Sequence, residues 1–140
     1  KGKYDDLDTE RFVKKHDIDF NFNSHFPINT LNLMRGAIYA KENDFFEDYV
    51  KVIFKSMWVD NKKMDELDVI KTVLEENKLP AQSIFEGTQD QNIKSKLIEN
   101  TAKAVEDGLF GVPSFLIDNE LFFGKETLQD VEDLIKGKVA

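Results

Sequence analysis

Apolar residues recur at helical spacing along most of the chain, and this pattern changes near residue 110. Spacings of three and four residues predict a series of helices. They cover Tyr4 to Lys15, Leu31 to about Asn43, Phe45 to about Val59, Leu67 to just before Leu79, and Thr88 or Asp90 to Asp107. The first 110 residues are therefore predicted to be helix-rich.

Polar residues and glycines mark where these helices begin and end. Asn29 or Thr30 is expected to cap the second helix, and Asp44 the third. Gly108 supplies a left-handed end to the long helix. The stretch from Pro80 to Gly87 predicts only a short helical turn.

The stretch from His16 to Ile28 is rich in Asn, His, Phe and Pro and is mostly typical of a loop. Within it, Phe20 and Phe22 alternate with polar residues, which leaves a short extended piece open.

The last thirty residues have a different pattern. Two short apolar runs, Phe115 to Ile117 and Leu121 to Phe123, flank the polar pair Asp118-Asn119, which predicts a β-hairpin. Gly124 ends the second strand, and a final helix is expected to stop before Gly137. Strands this apolar are typical of a sheet covered on both faces, so partner strands are expected that the rest of the sequence does not clearly offer.

Composition narrows the function classes. The chain has 140 residues, of which 41% are hydrophobic and 33% charged, and its formal net charge is −8. The acidic balance argues against a nucleic-acid partner, and no apolar run approaches the roughly 18 to 20 residues that span a membrane. Cysteine is absent and only two histidines occur, so no metal site is predicted. Absence of cysteine fits a reducing compartment, and we expect a cytoplasmic location.

Gly111-Val112-Pro113 is the most informative motif. Proline cannot donate to a sheet ladder and is confined to strand starts, edges and bulges, and X-Pro bonds adopt the cis form at modest cost. Placed between a long helix and a hairpin, the motif is typical of the C-terminal half of a thioredoxin fold, in which the residue before a cis-proline presents its main chain to an extended ligand. An ordinary turn that contains proline is the alternative.

An ordered set of motifs resembles the 2-hydroxychromene-2-carboxylate isomerases and the kappa-class glutathione transferases, in the DsbA-like branch of the thioredoxin superfamily. The matching pieces lie in order along nearly the whole chain. They are Lys1 to Asp8, Phe20 to Leu31, Met57-Trp58-Val59, Phe110 to Pro113 and Phe123 to Glu126.

The resemblance implies an α/β protein that holds the C-terminal portion of a thioredoxin-like fold, a hairpin plus a helix, with a large inserted all-helical domain. We place the helical domain at residues 1–110 and the hairpin and helix at residues 111–140. The family's first strand-helix-strand unit is expected to be lacking, and with it the serine that activates the glutathione thiolate.

The resemblance also implies a set of glutathione-binding residues. Val112, next to Pro113, would pair through its main chain with the cysteinyl unit. Glu126 would meet the γ-glutamyl ammonium, and Lys125, where the family has a small polar residue, would attract the carboxylate. Lys1 matches a lysine that contacts the glycyl end. For Glu126, a plain preference for a helix N-terminus is an equal alternative.

A pocket for an aromatic second substrate is implied around Trp58 and Phe26, with Asn29 or His25 as polar handles. The alternative for these aromatic residues is a role in an ordinary core.

The function implied is a glutathione-dependent isomerase of the 2-hydroxychromene-2-carboxylate type or a kappa-like glutathione transferase, with glutathione as cofactor and a small aromatic substrate. A DsbA-like thiol-disulfide oxidoreductase, with its Cys-x-x-Cys outside this sequence, is the alternative. A helical domain with a hairpin that only binds a partner is a third possibility. Family members often pair, so the resemblance allows a homodimer; no nucleic-acid or membrane partner is expected.

Overall fold

The structure, a computed structural model, describes residues 2–139. The helices are α1 Gly2–His16, α2 Leu31–Glu42, α3 Phe46–Trp58, α4 Leu67–Glu76, α5 Ala81–Gln89, α6 Gln91–Glu106 and α7 Leu128–Val139. The strands are β1 Ser114–Ile117 and β2 Glu120–Phe123, and a short 3-10 turn, Lys125–Thr127, leads into α7. Among the described residues, no helix combines the length and the apolar character that a membrane crossing needs.

The chain divides into two compact units. The helical unit extends to Leu97, and the C-terminal unit begins at Ile98, within α6. The domain boundary predicted at residues 110 and 111 stays a prediction.

The helical unit has a buried core, in which α2 packs on α3 and α5, and α4 packs on α3 and α5. One cluster of buried side chains consists of Ala40, Tyr49, Leu74, Ala81 and Ile84. A second consists of Leu33, Met57, Met64 and Val73. These are the apolar stripes that the helical spacing predicts, buried against one another.

Tyr49 is the polar member of this core. Its hydroxyl donates to the Leu33 carbonyl oxygen over 2.9 Å, so the buried group is paired. Burial raises the pKa of the Tyr49 hydroxyl above its ordinary value of 10.0. A Cβ added at Gly36 would lie 2.3 Å from the Tyr49 hydroxyl oxygen, so α2 can approach the ring only because residue 36 is glycine.

The helix ends confirm some predicted caps and correct another. The Leu31 amide donates to Asn29 Oδ1 over 3.0 Å, so Asn29 supplies the side-chain bond at the start of α2. The prediction that Asp44 caps the third helix is wrong. Phe45 holds that position without a side-chain bond, and Asp44 lies in the left-handed region with φ of 62°. Asp44 therefore belongs to the turn between α2 and α3.

The segment after Pro80 forms a whole helix, α5, where only a short turn was predicted. The helix continues past Gly87 to Gln89. Residue 87 is glycine for close packing, because a Cβ there would lie 2.2 Å from the Tyr39 ring. Asp90 then starts α6, since its Oδ1 accepts from the amides of Asn92 and Ile93 at 2.8 and 3.1 Å.

The predicted hairpin is confirmed. Ser114 to Ile117 pair antiparallel with Phe123 to Glu120, and the turn residues Asp118 and Asn119 have φ of 47° and 68°. Two successive positive φ values fit a turn that matches the strand twist. The Gly124 amide donates to the Pro113 carbonyl over 2.9 Å and extends the pairing by one step.

The last helix differs from its prediction at one end. α7 continues through Gly137 to Val139. A glycine inside a helix costs only about 0.5–1 kcal/mol relative to alanine, and the turns before it supply the apolar face that holds α7 in place. Val131, on that face, is buried.

Candidate functional site

The Val112-Pro113 segment lies at the start of the hairpin. Its peptide bond is cis, as the motif predicted. Val112 is 90% exposed, and within residues 2–139 no hydrogen bond engages its main-chain N–H or C=O. These groups are therefore open to an extended ligand that adds beside the strand.

Aromatic rings flank this segment. Phe110 lies against Phe123, with ring centroids 4.7 Å apart. A Cβ on Gly111 would lie 2.8 Å from the Phe123 ring, so the glycine lets the chain pass close to that ring. The Ser114 hydroxyl donates to the Gly111 carbonyl over 2.6 Å and fixes the bend just before β1.

The start of the last helix lies at the same end of the hairpin, because Gly124 pairs with Pro113. The Gly124 carbonyl accepts from the amide and the hydroxyl of Thr127, at 3.2 and 2.8 Å. Lys125 and Glu126 pair with each other, with Nζ 2.5 Å from Oε1. The Glu126 carboxylate folds back over Gly124, where Oε2 would lie 2.6 Å from an added Cβ.

The structure thus brings four of the five predicted glutathione-binding residues together through one hydrogen-bonded step of the hairpin, namely Val112, Pro113, Lys125 and Glu126. Val112 precedes Pro113, and Lys125 and Glu126 follow its partner Gly124. The remaining prediction, Lys1, lies outside the described residues. The roles of all five residues stay predictions.

The predicted aromatic pocket lies in the helical unit. The Trp58 ring stacks on Phe20 with centroids 5.8 Å apart and an interplanar angle of 17°. Phe26 lies 5.7 Å from it at a tilt of 47° and is 61% exposed. The cluster is thus half open, and the role of Trp58 and Phe26 at an aromatic substrate stays a prediction.

Asn29 follows this cluster, after the Phe26-Pro27 bond, which is also cis. Its Oδ1 accepts from the Leu31 amide, so its amide nitrogen and the second lone pair of Oδ1 are left to serve as polar handles. Its predicted role at the substrate stays a prediction.

Three asparagines that were not predicted as functional residues hold the loop from Phe20 to Phe26 in place. Asn21 donates from its main chain to Trp58 O and from its side chain to Val59 O, at 2.6 and 2.8 Å. Buried Asn23 donates to the carbonyl oxygens of Met57 and Lys62, both at 2.8 Å. Asn61 Oδ1 accepts from the Ser24 amide over 2.8 Å.

The signal for this arrangement was the alternation Phe20-Asn21-Phe22-Asn23. The asparagines bond the end of α3 while Phe20 lies against Trp58. Asn23 Oδ1 also accepts from the His25 amide over 2.8 Å, which turns the chain toward Phe26. No strand forms here, so the loop interpretation is confirmed.

Comparison with known proteins defines the class. Residues 1–136 match the family described as the DSBA-like thioredoxin domain. The chain belongs to that family.

Individual relatives show which known proteins the chain resembles. The chain is 24% identical over 131 residues to a 2-hydroxychromene-2-carboxylate isomerase of Sphingobium xenophagum. The aligned residues cover 91% of this chain and 65% of that protein. It is also 24% identical over 132 residues to one of Pseudomonas sp. (strain C18), over 94% of this chain and 61% of that protein. The chain is thus distantly related to these isomerases and spans less than two thirds of their length.

A solved structure of 2-hydroxychromene-2-carboxylate isomerase superimposes with a TM-score of 0.85 at 21% identity, over 98% of this chain and 66% of that one. This likeness confirms the predicted fold class, a thioredoxin-like hairpin and helix with a helical insert.

Proposed function

We propose that the protein acts in a glutathione-dependent isomerase of the 2-hydroxychromene-2-carboxylate type, or in a kappa-like glutathione transferase, and binds glutathione as its cofactor. In the reaction implied, the glutathione thiolate adds to an unsaturated aromatic substrate, a bond of the adduct rotates, and the thiol is eliminated unchanged. The distant isomerase relatives support this choice of chemistry. A cytoplasmic location suits it, since glutathione is abundant there.

The observation that carries the proposal is the open main chain of Val112. A peptide-like ligand that lies alongside donates to the Val112 carbonyl and accepts from its amide, as an added strand does. Since the side chain points elsewhere in such pairing, the contact depends on the backbone and little on valine itself.

The Lys125-Glu126 pair suits the γ-glutamyl end of glutathione, which carries an ammonium and a carboxylate. Both residues are within one turn of Gly124, and Glu126 is 70% exposed at its side chain. On binding, Glu126 would face the ligand ammonium and Lys125 the ligand carboxylate, so that one internal ion pair is exchanged for two.

The aromatic substrate is assigned to the surface formed by Trp58 and Phe26. Stacking on these rings would orient it, and the Asn29 amide would donate to a substrate oxygen. Because the chain spans less than two thirds of the length of its isomerase relatives, binding rather than turnover is the property to measure on it.

Calorimetric titration with glutathione tests the proposal. The variant Val112→Pro removes the amide donor, and we expect about a tenfold loss of affinity, in line with one lost hydrogen bond. Val112→Ala keeps the main chain and serves as the matched control, with affinity within about twofold. Equal affinity in all three proteins, or no glutathione binding by the unaltered chain, would contradict the proposal.

A DsbA-like thiol-disulfide oxidoreductase is the second candidate, favoured by the family match over residues 1–136. In that case the Val112 main chain would bind an extended peptide, and the cysteines would lie outside this chain, which has none. Titration with S-methylglutathione and with an extended peptide of unrelated sequence separates the two. Preference for the glutathione analogue, lost in Glu126→Gln, supports the isomerase; preference for the peptide supports the oxidoreductase.

A further inference from the structure

A cavity of about 230 Å³ lies within the helical unit, and α2, α3, α4 and α5 all contribute residues to its lining. Its inner wall consists of buried side chains of the core, namely Tyr49, Leu74, Ala81 and Ile84. Neither Val112 nor the Trp58 cluster belongs to the lining, so this space is distinct from the sites described above.

The hydroxyls in the wall are already engaged. The Tyr49 hydroxyl donates to the Leu33 carbonyl over 2.9 Å, and the Thr88 hydroxyl donates to the Phe85 carbonyl over 2.7 Å. Because these polar groups are paired within the protein, the interior presents mainly carbon to an occupant. An interior of this kind holds an apolar group better than water.

The exposed part of the lining carries one charge of each sign. Asp68 and Lys71 both line the cavity, and both are exposed positions of α4. Residues three apart on a helix are neighbours, with Cβ atoms roughly 5–6 Å from each other. Helix α4 thus places a carboxylate and an ammonium side by side where the cavity meets solvent.

Neither of these charges has a strong partner. Among residues 2–139, the Asp68 carboxylate takes part in no ion pair, with Lys71 or with any other cation. The Lys71 ammonium lies 3.9 Å from Glu75 in an exposed pair. Such a pair contributes little, so both charges can turn to a ligand.

Two amide side chains add to this polar rim. Asn32 lines the cavity from α2 and Gln82 from α5. Gln82 Nε2 donates to Glu86 Oε1 over 2.7 Å, which leaves the Gln82 Oε1 to accept a hydrogen bond from a ligand.

We propose that this cavity binds a free α-amino acid with a large apolar side chain, such as phenylalanine. Its ammonium faces Asp68, its carboxylate faces Lys71, and its side chain lies against Leu74 and Ile84. An engineered cavity of about 150 Å³ holds benzene, so the volume here suits one ring or a branched chain. The site is independent of glutathione and goes beyond the proposed function.

The two charges together select this class of ligand. An α-amino acid carries an ammonium and a carboxylate on one carbon, so it matches both Asp68 and Lys71. A simple carboxylic acid would bring its negative charge next to Asp68, and a simple amine would bring its positive charge next to Lys71. Like charges brought together in this way lower the affinity for the wrong ligand.

The test titrates the full chain with L-phenylalanine and follows its backbone amides by NMR. We expect saturable shifts in α4 and α5, with an unchanged binding curve when glutathione is present. Shifts confined to Val112, Lys125 and Glu126, or to the Phe26 loop, would overturn the cavity proposal. Absence of saturable shifts would overturn it as well.

Variants of the two charges test the orientation against three ligands. Asp68→Asn should weaken L-phenylalanine and 2-phenylethylamine about two- to fivefold, as for an exposed ion pair, without weakening 3-phenylpropionate. Lys71→Met should weaken L-phenylalanine and 3-phenylpropionate by a similar factor, without weakening 2-phenylethylamine.

Matched controls for these variants lie on α3. Asp48→Asn changes another exposed acid in the first turn of a helix, and Lys51→Met changes another exposed lysine. Neither should alter the affinity for any of the three ligands. Equal losses for all three ligands in either α4 variant, or equal losses in the controls, would contradict the proposal.

A third variant fills the interior. Ala81→Leu should lower the affinity for L-phenylalanine by about tenfold or more, a loss of about 1.4 kcal/mol. Ala102→Leu, at an exposed position of α6, is the matched control. If circular dichroism shows that Ala81→Leu does not fold, Phe85→Ala replaces it and should weaken binding severalfold. Unchanged affinity in the folded variant would overturn the proposal.

Discussion

The two units differ in how they treat their apolar residues. The helical unit buries side chains from α2 to α5 in two clusters, and Met64 and Leu74 are almost completely enclosed. Among the described residues from Ile98 on, Val131 is the one hydrophobic side chain that is buried. Exposed there are Ile98, Val105, Phe110, Val112, Leu116, Leu121, Phe123, Leu128 and Ile135.

The two units also differ in what holds their structure together. The helical unit owes its structure to close packing, whereas the C-terminal unit is held by the hairpin pairing, the Gly124-Pro113 bond and the turn at Thr127. Clustered exposed apolar groups mark interaction surfaces. The candidate glutathione contacts lie on the C-terminal unit, which buries few apolar side chains; the helical unit also exposes some, among them Phe26 and Phe54.

Truncation of one leucine gives the largest expected contrast. Leu74→Ala should lower the free energy of unfolding by about 2–5 kcal/mol, because it leaves a cavity in the core. Ile135→Ala, at a residue 49% exposed in α7, should cost less than about 1 kcal/mol. Urea denaturation followed by circular dichroism measures both. Similar losses would erase the contrast between the units.

Two glycine substitutions give a contrast of opposite sign. Gly36→Ala should destabilise by about 1–3 kcal/mol, because the new Cβ would lie 2.3 Å from the Tyr49 hydroxyl. Gly137→Ala meets nothing within 4 Å and should stabilise α7 by about 0.5–1 kcal/mol. Thermal unfolding of the two variants checks the signs, and a stable Gly36→Ala protein would show that α2 does not rest on Tyr49.

The smallest effect concerns pH. The folded state raises the pKa of Tyr49, so the unfolded state releases its proton first, and stability falls as pH rises above about 10, the ordinary tyrosine value. Tyr49→Phe should cost about 1 kcal/mol at neutral pH. This cost should shrink between pH 9 and 11, as measured by urea denaturation of both proteins. A constant difference across that range would contradict a buried, neutral Tyr49.

Much of the fold was predictable from local patterns. Apolar spacing located the helices of the core, and Asp118-Asn119 located the hairpin turn, because both signals act within a few residues. The predictions that failed are helix bounds, which depend on contacts between helices as well as on local sequence. Residues Pro80 to Gly87 were predicted to form only a short turn, yet they belong to the full helix α5, in which Gly87 packs on Tyr39. The last helix was predicted to stop before Gly137, yet α7 continues through it.

The candidate site was likewise predicted only in part. The Gly-Val-Pro motif pointed to the exposed main chain of Val112, whereas Lys125 and Glu126 were implied only by the family resemblance, and their roles stay predictions. The asparagines that hold the Phe26 loop escaped prediction, because the bonds of Asn23 reach residues more than thirty positions away. The cavity beside Leu74 also escaped, since helical spacing says which face is buried but not how completely it is filled.

The most direct test of glutathione recognition follows the Val112 amide by NMR as glutathione is added to the isotopically labelled chain. We expect a saturable shift of this amide, with the amides of Lys125 and Glu126 moving along the same binding curve. A Val112 amide that stays unmoved while glutathione binds elsewhere, or while nothing binds, would contradict it.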